Sequence, residues 1–243
     1  METLATVIVV FILAGLVKGV SGMGLPTVSI ALLSLFIPPA QAAMLMVMPS
    51  LATNLAQCWG PHGLMLFRKL GWLWGCLAFA TIYSPLPDIS DGGSNAPLFL
   101  GVVLVIYSVW GLFKPQLPRL NKSHPVASAL VGGSTGIITA ATGVFVLPMV
   151  PYMQLLGLSK EAFIQGLGIG FTIATMALAA RLGLNGSFDL PNGSVAIGLA
   201  ILSAFAGLWL GSLVRDRLNP VQFQKALYIV LGSLGLAMIV RTF

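Results

Sequence analysis

Eight apolar stretches constrain this chain more than any other feature: about 3–37, 40–60, 70–86, 97–113, 126–156, 161–182, 194–213 and 223–241. The joints between them, such as PHGLMLFRK, PLPDISDGGSN, KPQLPRLNKSHP and RDRLNP, are too short to form a domain outside a membrane. Runs of roughly 20 apolar residues match the length of a helix that crosses a bilayer. In hydrocarbon a helix satisfies its backbone hydrogen bonds within itself. The pattern therefore predicts an all-α, polytopic transmembrane helical bundle. Composition agrees, because only 7% of the 243 residues are charged, against roughly 25% in a soluble domain. That excludes soluble enzymes, nucleic-acid readers and disordered chains, and it makes the lipid bilayer the expected surrounding. The net charge of +6 comes from scattered single residues, which read as topology markers rather than a nucleic-acid surface.

Two stretches are too long for one crossing. Residues 3–37 would make a helix of about 52 Å and 126–156 one of about 46 Å, against a hydrocarbon core of about 30 Å. Each carries a breaker near its middle, SGMGLP at 21–26 and TGVFVLP at 142–148. Proline removes a backbone donor and disfavours helix in the residue before it, so each stretch is expected to be broken, re-entrant or doubled back. Charge counting arbitrates. If each stretch crosses once, Lys and Arg divide seven to four between the faces. If each doubles back, one face receives Arg68, Lys69, Lys114, Arg119, Lys122, Lys160, Arg215, Arg217 and Lys225, and the other only Arg181 and Arg241. Nine to two is the better positive-inside division. It predicts about ten passes, both termini and the acidic Asp88–Asp91 loop on the periplasmic side, and a retained first segment, since Glu2 and no basic residue precede it.

An internal repeat follows. Gly15/Gly19 is echoed by Gly132/Gly136, Leu25–Pro26 by Leu147–Pro148, and in each half a long helix comes next. Residues 1–122 and 123–243 are thus expected to be two transmembrane repeats. Each makes an odd number of passes, so the second is inverted relative to the first. Paired broken helices in inverted repeats are a recurring transporter design, with the substrate where the breaks meet.

Polar stripes at helical spacing mark where chemistry could reside: Gly15, Lys18, Gly19 and Gly22; Ser50, Thr53, Asn54 and Gln57; Ser128 through Thr142; and Gln165, Gly168, Thr172 and Thr175. Small and hydroxyl residues also mark close helix packing. An amide such as Asn54, Gln57 or Gln165 needs several partners and points instead to a polar cavity. Lys18 is the sharpest residue, the one charge well inside an apolar stretch. A charge there costs at least roughly 2.5–3.5 kcal/mol. It either snorkels to the interface or attracts an anion beside the break. In the second case Gly19, Gly22 and Gly24 would allow backbone approach, and a helix starting at Pro26 would aim its positive end at the anion. Cys58 and Cys76 read as buried small hydrophobes, and His62 and His124 as loop residues with no metal spacing. No catalytic residue, metal site or cofactor is expected. With no intramembrane carboxylate evident, any proton coupling must run through Lys18 or the substrate.

The segments KGVSGMGLPTVSIALL, PPAQAAMLMVMPSLATNLAQ and TGVFVLPMVPYMQLLGLSKEAFIQGLGIGFTIATMALA resemble the TauE/SafE sulfite exporter family of bacterial permeases. The resemblance implies export of a small sulfur-containing anion, sulfite or an organosulfonate, across the inner membrane. The chain departs from the commoner pattern in its thinner breaks and in Lys18, which has no counterpart in the second half. The expected mechanism is alternating access. The substrate-binding residues would be Lys18, Gly19, Gly22, Gly24, Thr53, Asn54 and Gln57, with Thr142, Gln165 and Thr172 from the second half. A carrier of another small organic anion, a channel, a membrane scaffold and a membrane-embedded thiol or redox protein are the alternatives. Homodimerisation stays open.

Overall fold

The computed structural model describes residues 2–84, 89, 95–113, 123–184, 193–215 and 217–242. The Asp88–Asp91 loop, apart from Ile89, and Lys114, Arg119 and Lys122 lie outside these residues. Among the described residues the secondary structure is all helical: α1 (Glu2–Ser21), α2 (Leu25–Leu33), α3 (Pro39–Cys58), α4 (Gly63–Tyr83), α5 (Asn95–Phe113), α6 (Pro125–Thr142), α7 (Met149–Leu155), α8 (Lys160–Leu184), α9 (Gly193–Val214) and α10 (Pro220–Thr242). Seven of them are long and apolar enough to cross a membrane: α1, α4, α5, α6, α8, α9 and α10. At about 1.5 Å per residue, the nine-residue α2 and seven-residue α7 fall well short of the bilayer core. The ten helices are therefore not ten complete crossings. α3 has the length to span, but Gln41, Ser50, Thr53, Asn54 and Gln57 make it polar.

Both long stretches break where proline and glycine fall. α1 stops at Ser21, whose hydroxyl donates to the carbonyl of Val17 at 2.7 Å, and α2 restarts after Gly24, at φ 102°, with Pro26 in its first turn. α6 ends on Gly143, at φ 70°, whose N–H donates back to Thr139 at 2.7 Å. This is the left-handed cap that glycine adopts without a Cβ penalty. The second break is wider, since α7 begins only at Met149. One joint differs from expectation. PHGLMLFRK turns helical from Gly63, because LMLFRK holds no breaker and Arg and Lys are good helix formers.

Glycines set the closest packing. A Cβ on Gly15 or Gly19 would collide with the Ala204 or Leu208 carbonyl of α9, and one on Gly132 or Gly136 with the Leu73 or Leu77 carbonyl of α4. Residue numbers rise together across both contacts, so α1 runs parallel to α9 and α6 parallel to α4. α5 packs on α10, and α3 packs antiparallel on α8 with Ser50 opposite Thr175. The ends can be matched as well. Lys69, near the start of α4, donates to the Leu156 carbonyl at 3.3 Å, four residues before Lys160, and Lys160 shares a cavity with Arg215. Arg181 sits at the opposite end, where it donates to the carbonyls of Thr81, Ile82 and Ser84 at 3.1–3.2 Å. α1 therefore runs toward the basic end and α6 away from it.

Candidate functional site

The first break and α3 together hold Lys18. Its side chain is only 2% exposed, so it does not snorkel to an interface. The ammonium donates to Thr53 Oγ1 at 3.1 Å and to Asn54 Oδ1. Asn54 Nδ2 donates to Ser50 Oγ at 3.0 Å, and Ser50 lies 3.2 Å from Thr175 Oγ1 on α8. Thr175 gives its proton to the Phe171 carbonyl at 2.7 Å, so Ser50 is the donor between the two hydroxyls. One direction thus runs from the ammonium through Asn54, Ser50 and Thr175, and each group is satisfied by the next. No carboxylate contacts Lys18 among the described residues. Its charge is solvated by neutral dipoles and keeps its long-range field.

That field opens into a cavity of about 500 Å³. Lys18, Lys160 and Arg215 contribute three cationic side chains to its wall, and among the described residues no acidic one lines it. Around them stand Ser21, Thr53, Gln57, Gln154, Ser212 and Gln224. Gln57 Nε2 donates to the Gly22 carbonyl at 2.9 Å and ties α3 to the break, while its Oε1 is buried without a partner among the described residues. Exchanging the two amide atoms would oppose two acceptors, so this orientation is fixed. A cluster of cations among hydroxyl and amide donors, with no counter-charge from the described residues, is chemistry for an anion.

Of the residues expected at the site, Lys18, Gly19, Gly22, Thr53 and Gln57 line this cavity together, with Asn54 directly behind Lys18. Gly19 is seated against α9, and the Gly22 N–H donates to the Lys18 carbonyl at 2.7 Å. Gly24 faces a smaller neighbouring cavity. The second-half residues lie elsewhere. Thr142 caps the end of α6 through the Val144 N–H at 3.2 Å. Gln165 spends its amide on the 58–62 turn, donating to Cys58 and Gly60 at 3.0 and 2.9 Å and accepting from the His62 N–H at 3.0 Å. Thr172 stands 3.4 Å from the Cys58 sulfur and, with Gln165, borders a different cavity. The second half enters the cationic cavity through Gln154, Lys160, Arg215 and Gln224 instead. The signal for the two cations was present in their joints, LSKE and RDRLNP, where charge counting treats them only as topology.

A family model described as Sulfite exporter TauE/SafE matches residues 7–238. No curated protein and no solved structure matches the chain.

Proposed function

The chain belongs to the sulfite exporter TauE/SafE family, and from that premise we propose that it exports a small sulfur-containing anion, sulfite or an organosulfonate, by alternating access. It is a multi-pass membrane protein of a transporter family. The single observation that carries the substrate charge is Lys18, buried, held among the described residues by neutral groups alone and facing a cavity with two further cations. A buried cation without a carboxylate gains most from a mobile anion, because the low-dielectric surroundings strengthen their attraction. Thr53, Asn54 and Gln57 supply hydrogen bonds or hold the ammonium. Gln154, Lys160, Arg215 and Gln224 supply the second half's share. Gln165 shapes the turn that closes the neighbouring wall.

Two inverted repeats, 1–122 and 123–243, provide the moving parts. This reading is supported by the exchange of packing partners when α1–α5 are matched with α6–α10: α1 on α9 corresponds to α6 on α4, and α5 on α10 and α3 on α8 map onto themselves. The opposite running of α1 and α6 supports the inversion. The cavity wall carries Lys160 and Arg215, and the positive-inside rule assigns that end to the cytoplasm. On this reading the anion loads from inside a bacterial cell, and both termini are periplasmic.

In proteoliposomes, Lys18→Met is expected to lower anion flux at least about a hundredfold, the scale of removing a buried ion pair worth roughly 3 kcal/mol. Lys18→Arg keeps part of the flux. Unchanged flux in a folded Lys18→Met protein overturns the assignment.

A further inference from the structure

The cationic cavity has an annex of different chemistry. A second cavity of about 220 Å³ lies beside it, and Ser21, Met23, Gln154 and Gln224 belong to the walls of both. The remainder of the annex comes from the helix pair α5–α10 and from α7: Tyr107, Trp110, Leu227 and Tyr228 with Val150 and Pro151. Among the described residues no charged side chain lines it. The Tyr107 and Tyr228 rings meet edge to face, 5.3 Å apart, which holds this wall rigid. The two carboxamides thus stand on a boundary between a cationic chamber and an uncharged aromatic one.

Size points the same way. A cavity of about 150 Å³ already accommodates a six-carbon ring, and joined clefts of roughly 300–1,000 Å³ are typical of sites for small organic molecules. An inorganic oxyanion beside Lys18 fills a small part of this space and leaves the annex unused. We infer that the annex is a tail subsite: the transported anion is organic, with an acidic head at Lys18 and a short uncharged tail whose hydroxyl or similar hydrogen-bonding group lies along the carboxamides of Gln154 and Gln224 toward the aromatic wall. The inference rests on the anion-carrier reading above and narrows its substrate class.

Binding to the purified, full-length protein distinguishes the two. The probes are sulfite, methanesulfonate, ethanesulfonate and 2-hydroxyethanesulfonate. Wild type is expected to bind 2-hydroxyethanesulfonate about tenfold more tightly than methanesulfonate, the worth of one or two net hydrogen bonds, with ethanesulfonate between them. Leu227→Phe, which fills the annex, and Gln154→Ala, at an exposed position tolerant of change, each bring that ratio close to one. Equal affinity for all four anions in wild type overturns the tail subsite and leaves the anion site standing. So does a ratio that neither variant alters. Failure of wild type to bind any of the four overturns the anion site and the subsite with it.

Discussion

At the scale of single residues, the site depends on what Lys18 is not paired with. Its hydrogen bonds to Thr53 and Asn54 solvate the ammonium without cancelling it, and the polarised chain to Ser50 and Thr175 leaves Asn54 Oδ1 as the acceptor. Replacing Asn54 by aspartate exchanges one heavy atom, the amide nitrogen for an oxygen, and changes the electrostatics by a full charge. Asn54→Asp is expected to pair with Lys18 internally, keep or raise thermal stability, and weaken anion binding by at least about tenfold. A variant that binds the anion as wild type does removes Lys18 from the site. The sequence revealed Lys18, Thr53, Asn54 and Gln57 because an isolated charge and a periodic amide stripe are local patterns. It did not reveal that Gln165 serves a turn. The three backbone groups it binds lie more than a hundred residues away in the chain, and no periodicity encodes them. Trp74 shows the same limit: it is buried with Gly170 of α8 beside its indole, a contact between residues far apart in the chain.

At the scale of helices, the two breaks were legible because Pro26, Pro148 and the adjacent glycines act on the backbone locally. The width of the second break was not. TGVFVLP contains apolar residues that fit several backbone conformations, and the chain runs irregularly from Gly143 to Pro148 with Val144, Phe145, Val146 and Leu147 buried in the core. The paired glycines were legible as a spacing and ambiguous in meaning. Their geometry shows that Gly15, Gly19, Gly132 and Gly136 bring helix backbones into contact. Gly19→Leu is expected to force α1 from α9 and cost roughly 1–3 kcal/mol or more, the usual scale of overpacking. Gly133→Leu, one residue from the corresponding motif but facing open space, leaves the melting temperature within error of wild type. Equal melting of the two variants would falsify the close-packing role.

At the scale of the whole molecule, the basic residues carry two messages that a count along the chain merges. Lys69, Lys160 and Arg215 gather at one end and Arg181 holds the other, in line with the division expected from the sequence. Lys160 and Arg215 also stand in the wall of the Lys18 cavity, where the proposed carrier would use them to attract an anion as well as to orient the chain. Only proximity in three dimensions separates those two roles. The most direct test of an anion held at Lys18 and reached from the basic face uses a single cysteine in the cavity wall. In a chain with Cys58 and Cys76 replaced by serine, Ser212→Cys on α9 is exposed to a membrane-impermeant maleimide applied from either side, with and without 2-hydroxyethanesulfonate. The account expects labelling from the cytoplasmic side alone in the absence of the anion, slowed several-fold by it, with that protection abolished by Lys18→Met. Labelling equally fast from both sides, or at a rate the anion does not change, contradicts it.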